Sequence, residues 1–311
     1  MKKVFSNILQ AIGETPLVEL QRLTGPEDAR VLVKVEALNP GGSIKSRSAF
    51  AMIEAAEKAG LLKPDSIIVE PTSGNQGIGL AMVGAVKGYR VKIIMPDSVS
   101  KERRKLIQHY GAELILIPDK GDIGKTIDTC IKTALKMAEE DNRVFIPQQF
   151  ENPNNVLMHK RTTAREILEQ VDGKIDAFCC GIGTGGTITG IGEVLKEANP
   201  ETLVVALEPT NAAILSGGTI GNHEQQGIGD GLIPPILNTE IIDEIITVTD
   251  EEAINTARRL AKEEGLMVGV SSGTNVYGAL QLAKRLGKGK TVVTILPDTA
   301  ERYYSTPLFQ D

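Results

Sequence analysis

Short runs of aliphatic and β-branched residues recur along the chain, and amphipathic stretches of helical length separate most of them. The runs are VLVKVE from position 31, SIIVEP from 66, VKIIMP from 91, ELILIP from 113, RVFIP from 143, and then DAFCCGIG, LVVALEP, IITV, MVGVS and TVVTILPD. Strands that are apolar throughout have both faces covered, and their alternation with helices is typical of parallel sheets. The pattern predicts an α/β fold with mainly parallel sheets covered by helices.

Polar, proline and asparagine residues cluster in PQQFENPNN, residues 147–155, between two series of strands and helices. A boundary between two α/β halves is predicted there, and 311 residues are enough for two domains. The formal net charge of −6 argues against a nucleic acid as the main partner. No apolar run approaches the roughly 18 residues of a membrane span.

The N-terminal stretch has no long apolar core, so a secretory signal is not expected. The three cysteines form no spaced framework, which fits a reducing compartment. The three histidines lie far apart without the spacing of metal ligands, and no metal is expected. We therefore expect a cytoplasmic protein that binds neither a membrane nor a nucleic acid.

One lysine, Lys45, follows two glycines and a serine in NPGGSIKSR, residues 39–47. An isolated lysine is usually solvated surface. The alternative is a lysine held at a strand-to-helix corner because its amine takes part in chemistry. The rest of the chain has to decide between the two.

A first polar loop follows a strand in EPTSGNQGIGLAMVGAVKG, residues 70–88. Thr72, Ser73 and Asn75 place hydroxyls and an amide beside the N–H groups of a helix start, which suits a carboxylate or a phosphate. Ordinary N-capping by serine or threonine is the competing interpretation.

A second loop, GIGTGGTITG at residues 181–190, also lies between a strand and a helix. Gly181, Gly183 and Gly186 satisfy the dinucleotide template, with Glu208 about twenty residues further on. Glycines let any phosphate approach a helix N-terminus, however, and the hydroxyls of Thr184 and Thr187 suit a terminal phosphate monoester. The sequence predicts a phosphate site and leaves its owner open.

A third loop, GVSSGTNVYGAL at residues 269–280, is interpreted as another strand running into a serine pair and a helix. Three such loops and Lys45 suggest a phosphate-bearing cofactor, an amine that holds it, and a small anionic substrate. Pyridoxal phosphate meets all three needs, because its phosphate, its aldehyde and an amino-acid carboxylate each find a partner.

Several linked motifs in order now identify a resemblance. They are IGETPLVEL, NPGGSIKSR, PTSGNQGIGLAM, PQQFENPNN, GIGTGGTITG, SGGTIGNHEQQGIGDGLIP, VSSGT and LPDTAERYYSTPLF. The chain resembles the cysteine synthase (O-acetylserine sulfhydrylase) family of fold type II pyridoxal-phosphate enzymes over essentially its whole length. The resemblance implies a tryptophan-synthase-β-like fold in a homodimer. It also implies a small mobile substrate domain (1–12 and 35–150) and a larger domain for the cofactor phosphate (13–34 and 151–311).

The same resemblance implies the roles of individual residues. Lys45 is similar to the Schiff-base lysine, Asn75 to the residue at the ring oxygen of the cofactor, and Ser271 to the residue facing the pyridine nitrogen. One segment resembles the loop that binds the cofactor phosphate in the family, and it consists of Gly183, Thr184, Gly185, Gly186 and Thr187. Substrate binding is implied for Thr72, Ser73, Gly74, Asn75, Gln76, Gln149 and Gly227.

The family's chemistry is β-elimination and β-replacement on a 3-substituted L-alanine through a bound aminoacrylate, with the released lysine as the base. For this chain we expect O-acetyl-L-serine and sulfide to give L-cysteine and acetate. The chain departs from the family pattern at Ser46, Gln76, Thr299–Ala300 and Asp230. Asp230 is interpreted either as a turn residue before Gly231 or as a carboxylate that activates water. In the second case the enzyme would degrade L-cysteine to L-serine and hydrogen sulfide.

Overall fold

The computed structural model describes residues 4–72, 74–119 and 123–310. The chain divides into two compact units, one of Met1–Ile12 with Asn39–Asn154 and the other of Gly13–Leu38 with Asn155–Asp311. They are called unit 1 and unit 2. Among the described residues, no helix combines the length and the apolar character that a membrane crossing requires.

Unit 1 contains a four-stranded sheet in which every pairing is parallel. Its strands, in the order β5-β4-β3-β6, are β3 (Ile67–Pro71), β4 (Arg90–Pro96), β5 (Glu113–Ile117) and β6 (Val144–Phe145). The helices are α1 (Lys45–Lys58), α2 (Asn75–Lys87), α3 (Lys101–His109) and α4 (Ile123–Glu140). Apolar residues of β3 and β4 are buried on both faces, as continuous apolar strands require.

Unit 2 contains a six-stranded sheet in the order β1-β2-β10-β7-β8-β9. The strands are β1 (Leu17–Glu19), β2 (Arg30–Val35), β7 (Ala177–Gly181), β8 (Leu203–Pro209), β9 (Glu244–Val248) and β10 (Thr291–Leu296). Only β1 pairs antiparallel, and the other pairings are parallel. Its helices include α6 (Thr163–Gln170), α7 (Gly186–Ala198), α8 (Asp250–Glu264) and α9 (Val270–Leu286). A further helix, α5 (Pro153–Arg161), begins at the last residues of unit 1 and continues into unit 2.

The predicted α/β fold with mainly parallel sheets is confirmed. The strand expected at MVGVS is wrong, because Val268 makes only an isolated bridge with Thr299. The helix α8 ends at Gly265 in a left-handed C-cap and α9 begins at Val270, and the short link between them forms only that bridge. The third loop therefore joins two helices.

Two of the polar loops do follow parallel strands. β3 ends at Pro71 and α2 begins at Asn75 in unit 1, while β7 ends at Gly181 and α7 begins at Gly186 in unit 2. Ligands of α/β proteins bind at such carboxyl ends of strands. The fold thus places both loops where a small-molecule site is expected.

Candidate active site

The corner before Lys45 requires its two glycines. Gly41 and Gly42 have φ angles of +80° and +72°, a left-handed conformation that side chains rarely adopt. Lys45 is the half-buried first residue of α1, and its backbone N–H donates to Ser43 Oγ at 3.3 Å. Its side chain starts at a helix N-terminus, where partial positive charge disfavours a cation. This is a fixed corner and not a freely solvated surface position.

Ser46, the first departure from the family pattern, is buried beside this corner. Its hydroxyl donates to the Pro40 carbonyl oxygen. A Cβ atom on Gly41 would lie 2.9 Å from Ser46 Oγ, so the turn and the serine are packed closely. An ionised aspartate at this position could not donate such a bond. Ser46 therefore fastens the glycine turn to the helix that carries Lys45.

The polar loop of unit 1 leaves the start of α2 open. The N-cap is Gly74, and among the described residues no side chain caps the helix. Thr72 Oγ1 instead accepts the N–H of Gly74 at 3.3 Å, and Asn75 is the half-buried first helical residue. Ser73 lies outside the described residues. Thr72 therefore does not cap α2. An uncapped helix start suits an anion.

Gln76, the second departure, is 1% exposed and contacts α1. Its Oε1 accepts from Ser48 Oγ at 2.8 Å, and Ser48 Oγ lies 3.1 Å from the Lys45 carbonyl oxygen. Its buried Nε2 has no hydrogen-bond partner in the described part of the chain. Gln76 therefore links the first turns of α1 and α2, and its expected contact with substrate stays a prediction.

Glu70 and Arg103 are two charged residues of unit 1 that sequence reasoning missed. The Glu70 carboxylate is buried at the end of β3 and accepts the backbone N–H groups of Gln148 and Gln149, each at 3.0 Å. Burial raises the pKa of Glu70 to about 7, outweighing these two bonds, which lower it. The sequence signal for this buried carboxylate was the glutamate near the end of the apolar run SIIVEP.

Arg103, in α3, is buried against the polar loop. A Cβ atom on Gly74 would lie 3.5 Å from Arg103 Nε. The guanidinium therefore brings positive charge to a loop expected to bind a carboxylate. The basic amphipathic pattern KERRKLIQHYG predicts the helix correctly but does not indicate that one arginine points inward.

The glycine loop of unit 2 has the close packing that its sequence predicts. Gly185 has a φ angle of +80° and is the N-cap of α7, which no described side chain caps. A Cβ atom on Gly185 would lie 2.8 Å from Leu237 Cβ. Backbone conformation and space therefore both require glycine, and the N–H groups of the α7 start face the loop.

Thr184 shows that this loop fits a phosphate. Its Oγ1 accepts from Asn155 Nδ2 at 3.0 Å and from the Gly186 N–H at 3.4 Å. Both lone pairs are thereby occupied, so the hydroxyl can only donate its own proton. No acceptor for that proton is present in residues 4–72, 74–119 and 123–310. A donor beside an uncapped helix start is what a phosphate monoester binds.

A second loop of unit 2, residues 225–231, lies against the glycine loop. The N–H of Gly229 donates to the Ile182 carbonyl oxygen at 2.9 Å, and Gln225 Oε1 accepts from Thr274 Oγ1 of α9 at 2.8 Å. Ser271, the second residue of α9, is buried. The structure therefore brings Gly227, Ser271 and the glycine loop into one region of unit 2.

Asp230 belongs to this second loop and is half-buried. A Cβ atom on Gly183 would lie 3.6 Å from Asp230 Oδ2, so the carboxylate faces the glycine loop. Gly229 and Gly231 on either side have φ angles of +68° and +79°, as a tight turn requires. The geometry is compatible with both interpretations of Asp230.

Glu208 does not have the role that the dinucleotide template gives it. Its buried carboxylate accepts the backbone N–H groups of Leu215 and Ser216 at 3.0 and 2.9 Å. These bonds fix the loop after β8 and occupy both oxygens. Glu208 is therefore structural, which removes the residue that would bind a ribose.

Comparisons with known proteins agree with this geometry. Residues 8–298 match the pyridoxal-phosphate-dependent enzyme family. The chain belongs to this family, and its fold is that of the fold type II members. It is a pyridoxal-phosphate-dependent enzyme, so the predictions of family, cofactor and enzymatic nature are confirmed.

Three proteins show which members of the family this chain is similar to. The chain is 52% identical to the cysteine synthase of Staphylococcus aureus over 309 residues, 99% of this chain and 98% of that protein. The structure of a cysteine synthase from Entamoeba histolytica is 42% identical, with a TM-score of 0.94, and the match covers 100% of this chain and 92% of that one. A hydrogen sulfide-producing enzyme from Fusobacterium nucleatum is 39% identical, with a TM-score of 0.91 and coverage of 96% and 100%.

Proposed function

We propose that the protein is a cysteine synthase, which replaces the acetoxy group of O-acetyl-L-serine with a thiol group from sulfide and gives L-cysteine and acetate. The observation that carries the proposal is the 52% identity over the full chain to the cysteine synthase of Staphylococcus aureus. The Lys45 corner supports it, because it holds an amine that would bind the cofactor aldehyde. The Thr184 hydroxyl supports it, because its proton would be donated to the cofactor phosphate. We further propose a cytoplasmic homodimer in which residues 1–12 and 35–150 form a mobile substrate domain.

The family resemblance implies which residues would bind the cofactor. Lys45 would hold its aldehyde carbon, and Asn75 would contact its ring oxygen. The loop Gly183–Thr187 would hold its phosphate, and Ser271 would face its ring nitrogen. When bound, pyridoxal phosphate supplies an electron-withdrawing ring that acidifies the Cα proton of an amino acid.

Residues of unit 1 would perform the remaining steps. The start of α2, with Thr72 and Gln149, would bind the substrate carboxylate, and the Arg103 charge favours that anion. The Lys45 amine would take the Cα proton as a general base. Acetate would then leave Cβ, hydrosulfide would form the new bond to the same carbon, and the Lys45 ammonium would return a proton to Cα.

A second candidate reaction rests on Asp230. Its carboxylate faces Gly183, and a negative charge near the reacting carbon would repel hydrosulfide and accept a proton from water. L-Cysteine and water would then give L-serine and hydrogen sulfide. The 39% identity to the hydrogen sulfide-producing enzyme from Fusobacterium nucleatum is the second observation that favours this alternative.

Product analysis of the purified holoenzyme tests the proposal. One reaction contains O-acetyl-L-serine and sulfide, and the other contains L-cysteine alone. We expect rapid formation of L-cysteine and acetate in the first, and little L-serine or sulfide in the second. Faster release of sulfide and L-serine from L-cysteine than synthesis of L-cysteine would overturn it. The Lys45→Ala variant is the control, because it should form neither set of products.

A further inference from the structure

A buried histidine connects the glycine loop of unit 2 to a hydroxyl outside it. His159 of α5 is 2% exposed; its Nε2 lies 3.3 Å from Thr187 Oγ1, and its Nδ1 lies 3.0 Å from Thr163 Oγ1. Thr163 is fully buried at the start of α6, and its hydroxyl has no other partner in the described part of the chain. The three side chains form a hydrogen-bonded row that ends at the loop.

Close helix packing holds the ring in this position. A Cβ atom on Gly190 of α7 would lie 2.6 Å from His159 Cβ and 2.7 Å from the Val156 carbonyl oxygen. Only glycine lets α5 approach α7 this closely. The histidine is therefore fixed beside the first turn of α7, the turn that carries Thr187.

When the His159 ring is neutral, the protons of the row can be arranged in two ways. In the first, Thr163 donates to Nδ1, Nε2–H donates to Thr187, and the Thr187 proton is directed to an external acceptor. In the second, Thr187 donates to Nε2 and Nδ1–H donates to Thr163. A neutral imidazole carries one proton, so the two arrangements are distinct tautomers. Only the first leaves Thr187 able to donate to an anion.

We infer that His159 is a positioning residue, and that a phosphate bound at the glycine loop selects its Nε2–H tautomer. Thr163 supports this tautomer by donating to Nδ1. The row thus prepares Thr187 as a second hydroxyl donor beside Thr184. The inference rests on the proposed phosphate role of Gly183–Thr187 and adds two residues, His159 and Thr163, that the family resemblance did not indicate.

The tautomer can be observed directly, because the chain has three histidines. Two-bond ¹H–¹⁵N spectra of histidine-labelled protein are compared for the holoenzyme and for protein stripped of cofactor, at a pH above the histidine titration range. His223 is the internal reference: its Nδ1 accepts from the Gln225 N–H at 3.1 Å and its Nε2 lies 3.1 Å from the Gly229 carbonyl oxygen, so it is held as Nε2–H. His109 is exposed and should behave as a solvated histidine in both states.

We expect His159 as a single Nε2–H form in the holoenzyme and as a mixture in the stripped protein. Adding pyridoxal, which lacks the phosphate, should leave the mixture unchanged, whereas adding pyridoxal phosphate should remove it. The same His159 tautomer population in all states, or an Nδ1–H form in the holoenzyme, would overturn the inference. If pyridoxal phosphate does not bind at all, the proposed function itself fails, and that result is separate.

A pair of variants at Thr163 tests the far end of the row. Thr163→Val removes the hydroxyl at nearly constant volume, and Thr163→Ser keeps it. We expect the dissociation constant for pyridoxal phosphate to rise about three- to tenfold in the valine variant, the effect of one lost hydrogen bond, and to stay within about twofold in the serine variant. The valine variant should also show mixed His159 tautomers with cofactor bound. Equal affinity and an unmixed tautomer in the valine variant would contradict the inference.

Discussion

Glu70 fixes the backbone of Gln149: the Gln149 N–H donates to one oxygen of the buried Glu70 carboxylate at 3.0 Å, and the Gln148 N–H donates to the other at 3.0 Å. Gln148 has a φ angle of +56°, a conformation that a non-glycine residue holds only when its surroundings impose it. The carboxylate thus defines the conformation of the residue expected to bind the substrate carboxylate.

At a pH well above the Glu70 pKa of about 7, where the carboxyl is ionised, we expect Glu70→Gln to raise the KM for O-acetyl-L-serine about tenfold. An amide has only one acceptor oxygen and turns its NH₂ group toward the second N–H. The visible absorption of the cofactor should not change. Gln148→Gly is the matched control, since glycine adopts the same φ angle and keeps its N–H. A KM for Glu70→Gln equal to that of the control would show that Glu70 does not position Gln149.

The raised pKa of Glu70, about 7 against 4.5 for an ordinary glutamate, also predicts how stability depends on pH. The folded protein holds this proton more tightly than the unfolded chain, so the contribution of Glu70 to stability is complete below about pH 4.5 and is lost as the pH rises to about 7. Glu70→Gln does not titrate. The unfolding free energy of the wild type, relative to that of the variant, should therefore fall by on the order of 3 kcal/mol over this range. Denaturant titrations at matched pH values measure it, and a rise would contradict the pKa shift.

Thr184 offers a direct test of the phosphate loop. Both of its lone pairs are occupied, so its proton is available to an anion. Thr184→Val should weaken pyridoxal phosphate binding about 10- to 100-fold, the range for a hydrogen bond to a charged group. Thr184→Ser should retain most of the affinity. Fluorescence titration of the stripped variants measures both constants, and equal affinities would show that the hydroxyl is not a ligand.

Much of this architecture could be predicted from the sequence because it follows from local patterns. The continuous apolar runs locate β3 and β7, and the glycines with their flanking hydroxyls locate the starts of α2 and α7. MVGVS was misassigned because Val268 is buried for a different reason, as part of a short link between two helices. A run of apolar residues cannot distinguish these cases.

The supporting residues of the candidate site could not be predicted, since their contacts are tertiary. Nothing in the spacing of His159 or Thr163 indicates that Thr187 lies beside them, and Glu70 meets Gln149 across 79 positions of sequence. The family resemblance gave roles only where a motif was present. Buried polar residues between the motifs had to be found from their hydrogen bonds.

Asp230 separates the two candidate reactions. If it only shapes a turn, Asp230→Ala and Asp230→Asn should leave the products of L-cysteine unchanged and alter rates little. If it activates water, both changes should slow L-serine formation about 10²- to 10⁴-fold, the contribution of a general base. Asparagine keeps the size and turn preference of aspartate but cannot take the proton. L-Serine yield in single turnovers distinguishes the outcomes, and a wild-type yield in both variants would exclude the water-activating role.

The chemistry assigned to this chain depends on which lysine carries the cofactor. Borohydride reduction of the holoenzyme makes the link between lysine and cofactor permanent, and peptide mass mapping then locates it. We expect the added mass on the peptide that contains Lys45, and we expect Lys45→Ala to lose both the added mass and the visible absorption band. Lys58, at the other end of α1 and paired with Glu54 on the surface, is the matched control, and Lys58→Ala should keep both. The added mass on any other lysine, or an unchanged absorption band in Lys45→Ala, would contradict the assignment.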